Sequence, residues 1–260
     1  MLGVSNMLRG PSVKPWFPRH ISKLALYYDF DKALSGRSDG DNLASVSIAN
    51  LGYAGSGHNI EIVAGSAAVS DGFTGKKSLQ FDGTNDYASL AGAWTATDQN
   101  WTMFCVFHLD GTVGQDSMFA GTSGGNNRIN IYNQNNVHVR ANSSGASNGA
   151  KLIATNNTNN SSTSYQWNNS PDIIVVRQDN DKSLYTYSGS AAASTAWYVG
   201  KSTDYSAASN TNIKIGTIGA HADAANDFQG WIGEIGMYDK DIGETNIKRL
   251  MQYLKLKWSI

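Results

Sequence analysis

The stretch Phe228–Trp258 changes its hydrophobic period in the middle, and this change constrains the fold more than any other feature of the sequence. Gly230–Tyr238 is short and rich in Trp, Ile, Met and Tyr, which is typical of a β-strand. From Glu244 onward the apolar residues recur at spacings of three and four, which indicates one face of a helix: Ile247, Leu250, Met251, Leu254 and Trp258. The chain therefore ends with a strand, a polar turn and an amphipathic helix that must cover an apolar surface.

One residue of this predicted strand breaks its alternation. Ile235 and Met237 have the same parity as Trp231, whereas Ile232 has the opposite parity. Either a β-bulge or burial of both faces of the strand explains the break.

The remaining apolar segments are short and are separated by turn residues. Trp101–Leu109 is apolar at both parities, which predicts a central strand covered on both sides. The other predicted strands are Ile21–Phe30, an edge strand at Val46–Ile48, Ile60–Val63, Ala67–Ser70, Leu79–Leu90, Ser117–Ala120, Ile129–Ile131, Val137–Val139, Ile173–Val176, Leu184–Tyr187 and Ile213–Ile218. Leu24, Leu26, Tyr28 and Phe30 are expected to face one way in the first of these. Such a series predicts an all-β, two-sheet antiparallel jelly-roll sandwich.

Composition excludes several classes of protein. Only 16% of the residues are charged, against roughly 25% in typical soluble domains, so Asn, Ser, Thr and Gly must supply the polar surface. The formal net charge of −1 gives no general attraction to nucleic acid or to anionic membranes. Cys105 is the single cysteine, which excludes a disulfide framework and predicts a small core residue. No apolar stretch reaches the roughly 20 residues of a membrane span, and we identify no signal peptide.

Residues 1–20 are expected to form an extended arm, with the jelly-roll domain at 21–260. Prolines at positions 11, 15 and 18 oppose regular strand pairing. Such a segment is either a disordered tail or an arm that docks on a neighbouring subunit. The residues that favour docking are the aromatic and basic ones: Arg9, Lys14, Trp16, Phe17 and Arg19.

Two separated motifs resemble the concanavalin A-like, laminin-G-like family. The closing segment resembles the family's F-x-G-x-I-x-E strand, turn and final helix, through Phe228, Gly230, Ile232, Glu234, Tyr238, Asp239, Tyr253 and Leu254. Ser78–Leu90 resembles its L-x-F-D-G-x-x-D-Y turn, and Leu24–Asp29 resembles its first strand. The resemblance implies a jelly roll, which hosts lectins, hydrolases, adhesion modules and virion proteins alike.

The hydrolases of this family carry an E-x-D-x-x-E motif, and their retaining mechanism needs two carboxyl groups about 5–5.5 Å apart. The chain has three glutamates, Glu61, Glu234 and Glu244, and Gly236 stands where the motif needs an aspartate. We therefore expect a protein that is not an enzyme, with no catalytic residues. A glycoside hydrolase is the least favoured alternative.

Two kinds of binding site are open. The resemblance implies a possible Ca²⁺ site, because many such domains hold calcium with loop oxygens. The candidates are Asp82, Asn85 and Asp86, or Asp223 and Asp227. The alternative is that these residues simply form turns. A sugar site would need an aromatic platform among polar loops, and the candidates are Tyr165, Trp167, Trp197, Tyr198 and Tyr205. Packing beneath long loops or at subunit contacts is the alternative role of these aromatic residues.

From these features we expect a structural virion protein of a tailed bacteriophage, made in the host cytoplasm without a cofactor. It would decorate the capsid or form part of a tail or fibre, as a homo-oligomer joined through the arm and in contact with other virion proteins. The alternative is a carbohydrate-binding module that recognises glycans on the host surface.

Overall fold

The computed structural model of the protein describes residues 16–63, 68–73, 75–110, 115–121, 127–132, 136–141, 150–154, 170–181, 183–188, 198–202, 212–220 and 227–260. The strands are β1 (Leu24–Asp29), β2 (Ser47–Ile48), β3 (Ile60–Ile62), β4 (Ala68–Phe73), β5 (Lys76–Asp82), β6 (Ala88–Thr95), β7 (Trp101–Leu109), β8 (Gln115–Ala120), β9 (Asn127–Tyr132), β10 (Asn136–Ala141), β11 (Ala150–Ala154), β12 (Asp172–Gln178), β13 (Leu184–Ser188), β14 (Tyr198–Ser202), β15 (Lys214–Ile218) and β16 (Gln229–Tyr238). The α-helices are α1 (Phe30–Ala33) and α2 (Gly243–Trp258), and short 3-10 turns span Pro18–His20 and Ser56–His58.

Two antiparallel sheets form a sandwich, which confirms the predicted fold class. The first sheet has the order β14-β13-β12-β7-β16-β5-β4, and β1 also pairs with β16. The second sheet has the order β11-β10-β9-β8-β15-β6-β3-β2. Because β5 pairs with the first half of β16 and β1 with its second half, both strands share one edge of β16.

The described apolar residues form two clusters, one on each face of the first sheet. The larger cluster lies between the sheets and includes Leu26, Phe107, Ile131 and Ile215. The second lies between the outer face of the first sheet and α2. The five apolar residues predicted for the helix face are all buried there, and burial of each side chain contributes roughly 2 kcal/mol of transfer free energy. The fold therefore has three layers: sheet, sheet and helix.

A bulge in β16 accounts for the break at Ile232. Its pairing with β7 shifts register between Ile232 and Glu234, so one additional residue, Gly233, enters β16. The shift places Ile232 in the core between the sheets together with Ile235 and Met237. Both explanations offered from the sequence apply, since the opposite face of β16 is also buried, under α2.

The first strand differs from its prediction at both ends. Leu24 packs on the helix side rather than with Leu26 and Tyr28, because the pairing of β1 with β16 shifts register between Leu24 and Leu26. The strand ends at Asp29, whose carboxylate accepts a hydrogen bond from the Lys32 backbone N–H at 3.3 Å and begins α1. Phe30 is thus a helical residue, although it still points into the core.

Strand β7 has the predicted bounds and the predicted burial on both faces, with β12 and β16 as its neighbours. Strands β9 and β10 pair antiparallel as neighbours in the chain, and so do β12 and β13. Cys105 is a free, buried thiol in β7. No helix in the described part of the chain is long and apolar enough to cross a membrane.

Candidate functional site

The C-terminal turn of α2 lies over a buried carboxylate, that of Glu234 on β16. The Glu234 side chain is fully buried. Its carboxylate accepts hydrogen bonds from the Tyr27 hydroxyl at 2.7 Å, from Lys257 Nζ at 2.6 Å and from the Trp258 indole N–H at 2.8 Å. Lys257 also forms an ion pair with Asp29 at 2.7 Å. Residues from three distant segments therefore meet in one hydrogen-bonded network.

The charged groups in this network shift one another's pKa values. Burial raises the pKa of Glu234, and the positive charge of Lys257 opposes that rise. Burial alone would lower the pKa of Lys257, but the carboxylates of Glu234 and Asp29 outweigh it, so its pKa lies above the ordinary value. Lys257 is therefore a protonated lysine that donates to both carboxylates.

The three glutamates of the chain do not form a close pair of carboxyl groups. Glu234 is sealed from solvent, whereas Glu61 on β3 and Glu244 in the first turn of α2 are exposed. Glu244 precedes Trp258 by fourteen residues, a helical rise of about 21 Å, and Trp258 is the residue that contacts Glu234. Each of the three glutamates thus lies in a separate part of the sandwich.

A pocket lies on the solvent side of this network, between α2 and the segment that precedes β1. Its volume is about 580 Å³, within the usual range for small-molecule sites. It is lined by Trp16, Phe17, Arg249, Gln252, Tyr253, Leu256 and Lys257. We call it the α2 pocket.

Aromatic rings form one wall of the α2 pocket. The Tyr253 ring lies edge-on to Trp16, with 5.6 Å between centroids, and to Phe17, with 6.0 Å. The segment that carries Trp16 and Phe17 is itself held in place, because Pro18 is buried and its carbonyl accepts a 2.9 Å hydrogen bond from the Tyr238 hydroxyl. The aromatic wall therefore rests on the sandwich.

The buried network also holds two of the side chains that line the pocket, Tyr253 and Lys257. Tyr253 is hydrogen-bonded to Tyr27, which in turn donates to Glu234. Burial, with the negative charge of Glu234, raises the pKa of Tyr253 to about 12, so the phenol is neutral at physiological pH. Since Lys257 is held by two carboxylates, two lining side chains have their positions set before any ligand arrives. Such preorganisation lowers the entropic cost of binding.

The rim of the α2 pocket is open to solvent and basic. Leu256 is 84% exposed and Phe17 is 36% exposed. Arg249 is exposed, and the Arg19 guanidinium lies 5.9 Å from the Phe17 ring centroid. Ring faces, an amide and guanidinium groups together can stack on an apolar ligand surface while donating hydrogen bonds to oxygens at its edge.

The residues predicted for the arm divide between two regions. Trp16 and Phe17 line the α2 pocket of their own chain, and the Arg19 guanidinium lies near the Phe17 ring. Arg9 and Lys14 fall outside the described residues. Docking of the arm on a neighbouring subunit stays a prediction.

The predicted calcium residues form a tight turn. The Asp86 carboxylate accepts a 3.0 Å hydrogen bond from the Asp82 backbone N–H, and the Asp82 carboxylate accepts a 2.8 Å bond from the Thr84 N–H. Asn85 is exposed between them. Burial raises the pKa of Asp227, and the charges of Asp82 and Asp86 raise it further.

Within the described ranges, no group of three or more His, Cys, Asp or Glu side chains could hold a metal ion. Turn formation accounts for the hydrogen bonds of Asp82 and Asp86, and calcium binding at this turn stays a prediction. Asp223, the other acidic candidate beside Asp227, lies outside the described residues.

The predicted sugar platform consists of five aromatic residues, most of which fall outside the part of the chain that the structure describes. Tyr165, Trp167, Trp197 and Tyr205 lie outside the described residues. Tyr198 begins β14, where its backbone pairs with Tyr187.

The surface stripe of α2 that lines the pocket was not recognised as a site from the sequence: Arg249, Gln252, Tyr253 and Leu256. Their spacing of i, i+3, i+4 and i+7 places them on one helix face, beside the buried stripe. An exposed leucine close to a half-buried tyrosine in that stripe was the available signal.

No protein-family model matches the chain, and no curated protein matches it. Solved structures do share its fold. The binding domain of Paraclostridial Mosquitocidal Protein 1 is 14% identical, covers 88% of this chain and 52% of its own, and has a TM-score of 0.54. The binding domain of Botulinum Neurotoxin DC, in complex with SialylT, is 10% identical over 90% of this chain and 52% of its own, with a TM-score of 0.55.

A third similar structure is Domain 4 of AbnA, a GH43 extracellular arabinanase from Geobacillus stearothermophilus, in complex with arabinotriose. It is 15% identical over 88% of this chain and 98% of its own, with a TM-score of 0.53. The chain thus spans about half the length of the two toxin binding domains and nearly all of the arabinanase domain. At these identities the likeness shows the fold alone: the chain is a β-sandwich of the same architecture as these domains.

Proposed function

We propose that the protein is a carbohydrate-binding domain that holds its ligand in the α2 pocket. The single observation that carries the proposal is the pocket itself: an aromatic wall and a solvent-open rim of hydrogen-bond donors, with two lining side chains held by the buried network. Sugars present apolar ring faces and hydroxyl edges, which such a surface complements. The fold adds support, since two solved structures of this architecture contain, by their descriptions, arabinotriose and SialylT.

The proposed activity is binding without catalysis. The sealed position of Glu234 and the separate positions of Glu61 and Glu244 support this part of the proposal. Incubation with polysaccharides should release no reducing ends. Hydrolysis that persists in a Glu61→Gln, Glu234→Gln and Glu244→Gln variant would contradict it and would direct attention to aspartates.

A glycan array tests the proposed site directly. The wild-type protein should bind a restricted set of glycans, and Leu256→Asp should reduce that binding at least about tenfold, or about 1.4 kcal/mol. Leu256 is 84% exposed, so its replacement leaves the fold intact. Lys248→Ala is the matched control, because Lys248 is exposed on α2 and does not line the pocket. Binding that is unchanged by Leu256→Asp would exclude the α2 pocket.

The virion role expected from the sequence is a second candidate, supported by the exposed apolar surface of Leu256 and Phe17 next to the arm. Exposed apolar patches often mark assembly contacts. Removing residues 1–20 would also remove Trp16 and Phe17 from the pocket, so the sharper test is removal of residues 1–15. Size-exclusion chromatography with light scattering should then show loss of oligomers while glycan binding is kept. Unchanged assembly would refute the role of the arm, and mass spectrometry of purified phage particles would test the virion location.

A further inference from the structure

Lys257 and the arginines at the α2 pocket differ in how much of their positive charge is available to a ligand. Lys257 donates to Glu234 at 2.6 Å and to Asp29 at 2.7 Å. The three groups together carry a formal charge of −1, so Lys257 adds no free positive charge to the pocket. Any attraction for an anion must come from the arginines at the rim.

Arg249 is placed to provide that attraction. It lines the pocket, is exposed, and forms no ion pair with any residue that the structure describes. It lies one helical turn before Tyr253, so its guanidinium and the aromatic wall share one helix face. A guanidinium offers five donors in a planar fork that matches a carboxylate with two parallel hydrogen bonds.

The negative charge of the network below the pocket and the positive charge of the rim restrict where an anionic group can bind. A carboxylate placed against Lys257 would approach the Glu234 and Asp29 carboxylates, whereas one placed at the rim would meet Arg249. Arg19, near the Phe17 ring, adds a second positive charge to this side of the protein. The ligand would therefore lay an apolar ring face on one ring of the aromatic wall and direct its acid outward. A sugar with a ring-borne carboxylate has this shape.

We propose that the α2 pocket selects carboxylate-bearing glycans, with Arg249 as the residue that binds the carboxylate; this rests on the glycan-binding function proposed above. The chain has a net charge of only −1 and no general positive field, so the preference is local, for one or two charges. Polyanions as such are not favoured, and an acidic peptide lacks the flat apolar ring face.

The test is an array that carries neutral glycans, carboxylate-bearing glycans, the methyl ester of each acidic glycan, and acidic peptides. Esterification removes the charge and keeps the sugar ring. We expect wild-type protein to bind free acids at least about tenfold more tightly than their esters, a difference of about 1.4 kcal/mol. Arg249→Ala should abolish this difference, Arg249→Lys should restore part of it, and Lys248→Ala should leave it unchanged.

The outcomes separate the two proposals. Equal binding of acids and esters, or acid preference that survives Arg249→Ala, overturns the carboxylate selectivity while the glycan-binding function stands. Binding to acidic peptides in place of glycans overturns both. A wild-type protein that binds no feature of the array counts against glycan binding itself.

Discussion

Replacing Lys257 with methionine would test the buried network that supports the pocket. Lys257→Met keeps the length of the side chain but removes the ammonium group, so Glu234 loses its ionic partner inside a fully buried site. The carboxylate keeps its two neutral donors, from Tyr27 and Trp258. Breaking a buried pair by removing one partner costs about 3–5 kcal/mol, and the remaining donors place the expected loss near the lower end, about 3 kcal/mol.

The second mutation of the cycle is Glu234→Gln. It removes the buried charge, so in the double variant neither charge is left alone. The Glu234→Gln and Lys257→Met double variant should therefore lose at least about 1 kcal/mol less than the sum of the single losses. Urea unfolding followed by far-UV circular dichroism at pH 7 measures each free energy.

The pH dependence of Lys257→Met gives an independent check. Burial raises the folded-state pKa of Glu234 above its unfolded value, and without Lys257 nothing ionic opposes that rise. A folded state that binds the proton more tightly gains stability as pH falls, so the deficit of Lys257→Met should shrink between pH 7 and pH 5. The double variant should show no such change.

In the wild-type protein, the stability that Lys257 contributes should be lost at alkaline pH. The folded-state pKa of Lys257 lies above its ordinary value, so the stability that Lys257 contributes is present below its unfolded pKa and is lost as pH rises toward its folded pKa.

A loss below about 1 kcal/mol for Lys257→Met, or additive losses in the cycle, would refute the reasoning that the buried pair stabilises the helix on the sheet.

Two further substitutions address how elements are joined. A Cβ at Gly233 would lie 2.6 Å from Cη2 of Trp258. Gly233→Ala should therefore lower the free energy of unfolding, measured by urea denaturation, by about 1–3 kcal/mol. A loss under about 0.5 kcal/mol would mean that the Trp258 ring moves aside freely. The Asp239 carboxylate accepts hydrogen bonds from the Tyr53 hydroxyl at 2.7 Å and from the Thr97 N–H and hydroxyl at 2.7 and 2.6 Å. Because Asp239→Ala removes all three, it should lower the free energy of unfolding by about 2 kcal/mol. Tyr53→Phe should cost less than Asp239→Ala, and an equal cost would show that the threonine contacts contribute nothing.

Local patterns in the sequence determined most of the secondary structure. The apolar run of β7, the alternation of β9 and β10 and the three-and-four spacing of α2 each depend on neighbours within one element, so they can be read without a partner. Even the anomaly at Ile232 was visible, because a bulge changes the parity of one strand.

Strands with weak or short patterns were missed or misjudged. Tyr198–Ser202 and Ala150–Ala154 have little alternation, and β14 and β11 owe their state to pairing with β13 and β10. Leu24 had the parity of Leu26, but a register shift against β16 moved it to the helix side. Register is a property of two strands, so one strand's sequence cannot specify it.

The candidate site was decided by tertiary structure. The sequence marked Trp16 and Phe17 as residues in need of a partner and marked Glu234 only as part of a motif. Their meeting at α2 joins residues more than 200 positions apart, through the Tyr27–Glu234 hydrogen bond and the Tyr238–Pro18 hydrogen bond. The sequence by itself determined which segments are strands or helix and which faces are apolar, because these depend on local periodicity. Only the packed sandwich decided which side chains share a pocket and which charge is buried, because those depend on contacts between segments that no local pattern encodes.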